Sequence, residues 1–79
     1  MRANIISLKG VEFEGDIVSL NVKTAVGEIT VLDHHLPLIT VLSKGKAVIT
    51  RRDGTKQLLD VESGFLEVEK GNKLSALVS

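Results

Sequence analysis

The only two histidines of the chain are adjacent, and they are the side chains that could most readily do chemistry. His34 and His35 follow Asp33 in the stretch GEITVLDHHLPLIT, residues 27–40. Zinc needs three or four ligands that converge on one point. Neighbouring side chains of an extended segment point to opposite sides, and the chain has no cysteine to complete a ligand set. A turn histidine that bonds locally or meets a partner is therefore favoured over a metal site.

Nucleophilic catalysis has little support from the sequence. Ser43 or Ser63 could meet His35 and a carboxylate, but the glycine-flanked nucleophile elbow is missing. No glycine-rich phosphate-binding loop is present either. Two carboxylate pairs are spaced two residues apart on one strand face, as solvated charges are: Glu12 with Glu14 and Glu67 with Glu69. The residues predict that the chain is not an enzyme and holds no cofactor.

Composition argues against a nucleic-acid partner. Ten basic residues balance ten acidic ones, whereas proteins that bind phosphate backbones usually carry a basic excess. Two phenylalanines are the only aromatic residues, so no ladder of rings is available for base stacking. No apolar run approaches the roughly 20 residues of a membrane helix. Five basic residues gather around one predicted hairpin, where we interpret them as a solvated face or a protein-docking edge: Lys44, Lys46, Arg51, Arg52 and Lys56.

The elements that must position these residues are predicted to be short strands. Apolar and polar residues alternate with the two-residue period of a strand, most clearly in residues 17–23. The apolar positions of this segment are Val18, Leu20 and Val22. Asp53-Gly54 and Gly71-Asn72 lie between such segments and predict tight hairpin turns. No segment repeats apolar residues at helical spacing. The sequence predicts an all-β fold, a sandwich or small barrel, with residues 1–79 forming one domain.

One alternative within the all-β class is a free-standing carrier domain with a lipoyl or biotinyl group. The stretch EGDIVSLNVK, residues 14–23, resembles the opening strands of such domains. Carriers present a lysine at the tip of a hairpin between hydrophobic or small acidic neighbours, and neither Lys23 nor Lys56 has that context. A covalent group on a lysine would distinguish this second hypothesis by mass spectrometry.

Three stretches of the chain together resemble the ε subunit of F-type ATP synthases. GEITVLDHHLPLIT resembles that family's G-E-x-G-x-L-P-x-H-x-P-L-L-T, and SGFLEVEKGNKLSALVS resembles its G-G-F-x-E-V, a turn and a final strand. GVEFEGDIVSLNVKTAVGEI has the family's aromatic residue, glycine and alternating strand before the Gly-Glu corner. The resemblance follows the order of the family motifs and covers nearly the whole chain.

The resemblance implies a flattened β-sandwich of about ten short, mainly antiparallel strands on the central stalk of the rotor. In the family this domain grips the γ subunit, rests on the membrane c-ring and helps couple ion-driven rotation to ATP synthesis, without chemistry of its own. The expected partners are therefore γ and the c-ring. The expected place is the cytoplasmic side of a bacterial inner membrane, peripheral to it, or else the stromal side of a plastid thylakoid.

The resemblance also assigns roles to single residues. Glu28 matches the corner glutamate that approaches the c-ring loops, and His35 matches the histidine beside the γ-facing surface. We include the adjacent His34, and Thr40 on the continuing strand, in the expected interface. Three positions match residues that shape turns: Gly27, Pro37 and Gly64. Three apolar motif positions are interpreted as core residues: Leu38, Phe65 and Val68.

The sequence departs from the family pattern at four positions. Thr30 stands where glycine is common, Asp33 where proline is, His34 where glycine or asparagine is, and Ser63 in place of a glycine. Most members also continue into two C-terminal helices, whereas this sequence ends at Ser79. We therefore expect a short form or a fragment of a longer one, without the inhibition that those helices provide.

Overall fold

The computed structural model describes residues 1–79, which form eight β-strands and no helix. The strands are β1 (Arg2–Ser7), β2 (Gly10–Thr24), β3 (Gly27–Leu32), β4 (Leu38–Leu42), β5 (Gly45–Arg51), β6 (Lys56–Val61), β7 (Gly64–Glu69) and β8 (Lys73–Val78). The all-β prediction is confirmed. There are eight strands rather than about ten, and one of them, β2, is continuous over 15 residues. The structure contains no helix that could cross a membrane.

The strands form one hydrogen-bonded sheet that β2 folds into two layers. The strand order is β1-β8-β7-β4-β2-β5-β6, with β3 also paired to β2 and β1 paired to β2 as well. The first half of β2 pairs with β1, and its second half pairs with β3 and β5. Only the β1–β8 pairing is parallel. We call β1, β8, β7 and β4 layer A, and β3, the second half of β2, β5 and β6 layer B.

The core lies between the layers and is built from alternating aliphatic residues. In β7, for example, Leu66 and Val68 are buried whereas Phe65 and Glu67 are exposed. Full burial of a large aliphatic side chain contributes about 1.5–3 kcal/mol, so this cluster is the main stabilising feature. Its 16 members come from both layers and Met1: Met1, Ala3, Ile5, Ile17, Leu20, Val22, Val31, Leu42, Ala47, Ile49, Val61, Leu66, Val68, Leu74, Ala76 and Val78.

An extra residue in β2 changes which side chain enters the core. Ile17 pairs with Arg51 and Ser19 with Thr50, so Val18 is left unpaired as a β-bulge. A bulge shifts the alternation of the strand by one residue. Ile17 is therefore fully buried and takes the core position that the sequence alternation assigns to Val18, which is only half-buried.

Both predicted hairpin turns are confirmed. The Asp53-Gly54 turn joins β5 to β6, and the Asp53 carboxylate accepts hydrogen bonds from the backbone N–H (2.9 Å) and hydroxyl (2.6 Å) of Thr55. These bonds hold the pKa of Asp53 below its usual range. The Gly71-Asn72 turn joins β7 to β8, and both residues have positive φ, 85° and 59°, as the tightest hairpin turns require.

Candidate functional site

The β3–β4 connection, residues 33–37, holds the two histidines and the only proline; we call it the corner. His34 adopts a left-handed conformation with φ of 61°, which is uncommon for residues other than glycine. The backbone N–H of His35 donates to the carbonyl oxygen of Leu32 at 3.2 Å, which closes the turn. Pro37 precedes β4 directly and fixes the direction in which the chain enters that strand. Four of the five corner residues are exposed: His34, His35, Leu36 and Pro37.

One histidine bonds locally and the other bonds a distant residue. The Nδ1 atom of His35 lies 2.7 Å from the carbonyl oxygen of Leu36, which can only accept, so this nitrogen carries the proton. The backbone N–H of His34 donates to Oδ1 of Asn72, in the β7–β8 turn, at 2.7 Å. No group of three or more His, Cys, Asp or Glu side chains lies close enough together to hold a metal ion. The corner therefore presents two imidazole rings at the surface, each on a backbone that hydrogen bonds hold in place.

Behind the corner, two carboxylates and two cations form a cluster that we call the clamp: Asp16, Asp33, Arg52 and the Met1 ammonium group. Nη1 and Nη2 of Arg52 donate to Asp33 at 2.9 and 3.2 Å, and Nε donates to Asp16 at 2.7 Å. The Met1 ammonium pairs with Asp16 at 3.2 Å, donates to Asp33 and bonds the carbonyl oxygen of Ile17 at 2.8 Å. The clamp thus joins β1, β2, the corner and the β5–β6 turn.

The clamp shifts the pKa values of its members in the directions that pairing dictates. Hydrogen bonds from Arg52 and then from the Met1 ammonium hold the pKa of Asp33 well below its usual range. The same two donors lower the pKa of Asp16. The carboxylates of Asp16 and Asp33 in turn raise the pKa of Arg52. Both carboxylates are therefore ionised at neutral pH and balance the two cations.

Glu28 lies at the opposite end of β3 from the corner. It is five positions from Asp33 along the chain, which is about 16 Å of extended strand. Its carboxylate pairs with Lys23 of the adjacent strand at 2.7 Å and accepts a hydrogen bond from Asn21 at 3.1 Å. The bonds from Lys23 and Asn21 hold its pKa below the usual range. Gly27 precedes it with a φ of 124° and open space around its α-carbon. The structure therefore does not bring Glu28 together with the histidines.

Thr40 does not share a surface with the histidines either. It is half-buried and alternates with buried Leu42, so it faces the core side of β4. Its neighbours Ile39 and Val41 face outward and are exposed. The outward positions of β4 are therefore apolar.

Sequence reasoning missed a row of apolar side chains across the outer face of layer A. Cross-strand pairing joins Ile6 to Leu77, Leu77 to Phe65 and Phe65 to Val41, so the row crosses all of β1, β8, β7 and β4. Their exposed fractions are 38, 51, 58 and 49%, respectively. We call these four residues the apolar row. Phe65, interpreted from the sequence as a core residue, belongs to it.

One signal in the sequence could have revealed the apolar row. A strand with one solvated face alternates apolar and polar residues, whereas a continuous apolar run is typical of strands covered on both faces. Residues 38–42 read LITVL, with a single threonine, so β4 had no polar face to offer to water. The run therefore indicates that β4 is covered on its inner face by the core and is suited to a partner on its outer face.

Two depressions flank Phe65 and Leu77. One, of about 370 Å³, is lined by Asn4, Ile6 and Ile39, and the other, of about 380 Å³, by Leu8 and Val41 among others. Asn4 lines the first depression, and its Oδ1 is buried without a hydrogen-bond donor, which costs free energy.

Gly64 brings β7 and β8 unusually close together below the second depression. A β-carbon at this position would lie 2.1 Å from the carbonyl oxygen of Leu77, and φ is 153°. The neighbour is backbone, which cannot move aside as a flexible side chain can. Only glycine fits here, which gives a physical reason for its expected role in shaping this part of the chain.

Four of the five basic residues near the β5–β6 hairpin have a partner within the chain. Lys44 lies 3.9 Å from Glu62, Lys46 pairs with Asp60, and Arg52 belongs to the clamp. Arg51 donates to Gln57, and its guanidinium lies 5.7 Å from the centre of the Phe13 ring. Lys56 is exposed and makes no ion pair, so three of the five charges are balanced by acids.

Neither lysine of the carrier hypothesis lies at the tip of a hairpin. Lys23 is within β2 and pairs with Glu28, and Lys56 is the first residue of β6. The tip of the β5–β6 hairpin is Asp53-Gly54. The structure gives the carrier hypothesis no supporting feature.

The fold and the site define a small β-sandwich with one charge-paired outer face and one apolar outer face of the kind that partner proteins cover. The sequence matches the family described as ATP synthase, Delta/Epsilon chain, beta-sandwich domain, over residues 1–79, and the chain belongs to that family. The resemblance found from the motifs is thereby confirmed.

Similar proteins agree with this assignment. The chain is 41% identical to the ATP synthase epsilon chain of Endomicrobium trichonymphae over 68 residues, 86% of this chain and 49% of that protein. The chain spans about half the length of the curated relatives it matches. Its fold resembles a chain of the Euglena gracilis mitochondrial ATP synthase (OSCP/F1/c-ring) with a TM-score of 0.90 at 17% identity, covering 96% of this chain and 48% of that one. For the Tetrahymena thermophila mitochondrial ATP synthase (central stalk/c-ring) the TM-score is 0.84 at 14% identity, covering 99% and 62%.

Proposed function

We propose that the chain is a non-catalytic subunit of the central stalk of an F-type ATP synthase. It docks on the γ subunit and the c-ring and helps to couple ion-driven rotation to ATP synthesis. Its relatives are named ATP synthase epsilon chains, and chains of the same fold come from ATP synthase assemblies that include a central stalk and c-ring. Residues 1–79 act as one β-sandwich domain without a cofactor.

The single observation that carries the docking function is the apolar row. An apolar patch that crosses four strands and is flanked by two depressions is typical of a surface that a partner protein covers. Burial of apolar area contributes about 25 cal/mol per Å², so covering the apolar row favours association. The γ subunit is the proposed occupant.

The corner extends the same surface. Pro37 and Ile39 line a shared open depression at the edge of layer A, so the corner continues directly into the face that carries the apolar row. His34 and His35 are exposed there. We assign the corner to the rim of the γ interface, where polar groups are common around an apolar centre.

The c-ring contact is assigned to the other end of β3. Glu28 is exposed and lies about 16 Å along the strand from the corner, so one partner can occupy each end. Its carboxylate already accepts bonds from Lys23 and Asn21, and a basic loop of the c-ring adds or exchanges a charge-assisted bond. The chain is thereby held at the cytoplasmic side of a bacterial inner membrane through the complex, without insertion of its own.

Size-exclusion chromatography with light scattering tests the proposal. The purified chain is mixed with the γ subunit of the same organism, and the mass of the eluting species is measured. A stable one-to-one complex is expected. Two separate peaks, with both proteins folded by circular dichroism, would contradict the proposal.

A further inference from the structure

The corner has little regular structure to hold it. None of residues 33–37 belongs to a strand, and the only backbone–backbone bond that they make as donors is from His35 to Leu32. His34 adopts a conformation that most side chains avoid. The conformation of the corner therefore depends on side-chain contacts with the rest of the molecule.

Asp33 supplies most of those contacts. It is the only half-buried residue of the corner, and its side chain is 31% exposed. Its carboxylate accepts hydrogen bonds from Arg52 and the Met1 ammonium, and a longer one of 3.4 Å from Nδ2 of Asn72. Asn72 also accepts the backbone N–H of His34. Asn72 therefore bonds both residues at the start of the corner, and Arg52 and Met1 hold Asp33.

Arg52 is the group that links Asp33 to the β5–β6 turn and to Asp16 of β2. Its guanidinium lies between Asp33 and Asp16 and donates to both oxygens of each carboxylate, at 2.7 to 3.5 Å. Paired bonds of this kind restrict orientation as well as distance. Exposed ion pairs add little to global stability. The main effect of Arg52 is therefore expected on the geometry of the corner.

We infer that Arg52 is a positioning residue for the corner: through Asp33 it holds the histidines and Pro37 in the conformation that a partner protein meets. The identity of that partner as γ rests on the proposed function. The positioning itself does not, because it is a property of the free chain.

The test compares Arg52→Gln with the conservative Arg52→Lys and with Lys46→Gln. Lys46 lies on β5, within the same hairpin, and pairs with a single exposed carboxylate, that of Asp60, so it is the matched control. Amide hydrogen exchange of His34 and His35 is measured by NMR in the free chain, and affinity for γ by calorimetry. In Arg52→Gln we expect exchange at these two amides to rise, and affinity to fall, by about three- to tenfold.

The controls separate positioning from a general structural role. Arg52→Lys restores part of both losses, since lysine keeps the charge without the planar fork, and Lys46→Gln changes neither quantity. Asp33→Asn produces losses at least as large as Arg52→Gln, because Asp33 also bonds the Met1 ammonium and Asn72, and the double variant loses no more than Asp33→Asn alone.

Three results would overturn the inference. The first is unchanged exchange at His34 and His35 in Arg52→Gln. The second is a rise in exchange spread over all strands, which is global destabilisation. The third is altered corner exchange with unchanged affinity in a chain that binds γ. If the parent chain does not bind γ at all, the proposed function fails, and the exchange data alone decide whether Arg52 positions the corner.

Discussion

The outer faces of the two layers expose different kinds of side chain to water. On layer B the exposed side chains pair across strands: Lys23 with Glu28 at 2.7 Å, Asn21 with Thr30 at 2.8 Å, and Lys46 with Asp60. On layer A, cross-strand neighbours are apolar, and the apolar row exposes about half of each side chain to water. The polar side chains of layer B are paired within the chain, whereas the apolar row of layer A is stabilised when another molecule covers it.

Exposure of a single apolar residue does not by itself identify a docking surface. Leu58 on layer B is 62% exposed, slightly more than Phe65 on layer A, and pairs with half-buried Val48, but polar Asn21 follows Val48 and the Lys46–Asp60 pair lies beside them. Phe65 is flanked by Leu77 and Val41 on its two sides. A single exposed apolar residue is ordinary on a protein surface, and a contiguous group of them is not.

The first prediction, which has the largest expected effect, concerns the space available at Gly64 between β7 and β8 of layer A. Gly64→Ala places a β-carbon 2.1 Å from a backbone oxygen of β8, and we expect it to lower the free energy of unfolding by about 3 kcal/mol or more. Gly27→Ala in layer B, where φ is also positive but space is open, is expected to cost only about 1–2 kcal/mol. Urea denaturation measures both. Equal losses would show that the close approach of β7 and β8 is not a constraint.

The second prediction tests the two faces directly. Phe65→Ser is expected to weaken binding to γ by about 2 kcal/mol, or roughly 30-fold, because it removes a central apolar contact. Leu58→Ser, at similar exposure on layer B, is expected to change affinity less than about twofold. Calorimetric titration with γ gives both values, and thermal unfolding checks that each variant is folded. A larger loss for Leu58→Ser would reverse the assignment of the faces.

The third prediction concerns the clamp, which joins the two layers at one end. The pKa of Asp33 is lower in the folded chain than its ordinary value of 3.8, so its contribution to stability is full above about pH 5 and is lost as pH falls through the folded-state pKa. The thermal midpoint of the parent chain should therefore fall slightly more below pH 4 than that of Asp33→Asn, because the pair is exposed. Asp60→Asn on layer B is the control. Parallel curves for the parent and Asp33→Asn would exclude the linkage.

The smallest expected effect on the chain itself is at Glu28. Glu28→Lys leaves the fold intact, since the side chain is exposed, but places a like charge beside Lys23 and before any basic partner loop. We expect membranes that carry this variant to show partial loss of ATP-driven proton pumping. Glu28→Gln should lose less, and Asp60→Lys, at a site assigned to no partner, should lose none. Full pumping by Glu28→Lys would count against the c-ring contact.

The sequence predicts the local features of this fold well. The Asp53-Gly54 and Gly71-Asn72 turns are specified by neighbouring residues, and strand alternation depends on a period of two. Both are confirmed. The bulge at Val18 is a departure from that period, and it becomes visible only when the partner strand β5 is in place.

The candidate site is less predictable because its parts come from distant positions. Arg52 and Asp33 are 19 residues apart, and Asp16 and Arg52 are 36 residues apart. No local sequence pattern predicts either contact. Family motifs pointed to His35, Thr40 and Phe65, but which of them face outward depends on strand register. The structure leaves Thr40 on the inner side of β4 and Phe65 on the outer side of β7.

Methyl NMR of the chain during titration with γ tests the two-face comparison most directly. Isoleucine, leucine and valine methyl groups lie on both outer faces, so one spectrum reports on each face in the same sample. The predicted result is that the methyl signals of Ile6, Val41 and Leu77 shift or broaden as γ binds, whereas those of Val48 and Leu58 stay in place. Changes confined to Val48 and Leu58 would contradict the assignment of layer A as the docking face.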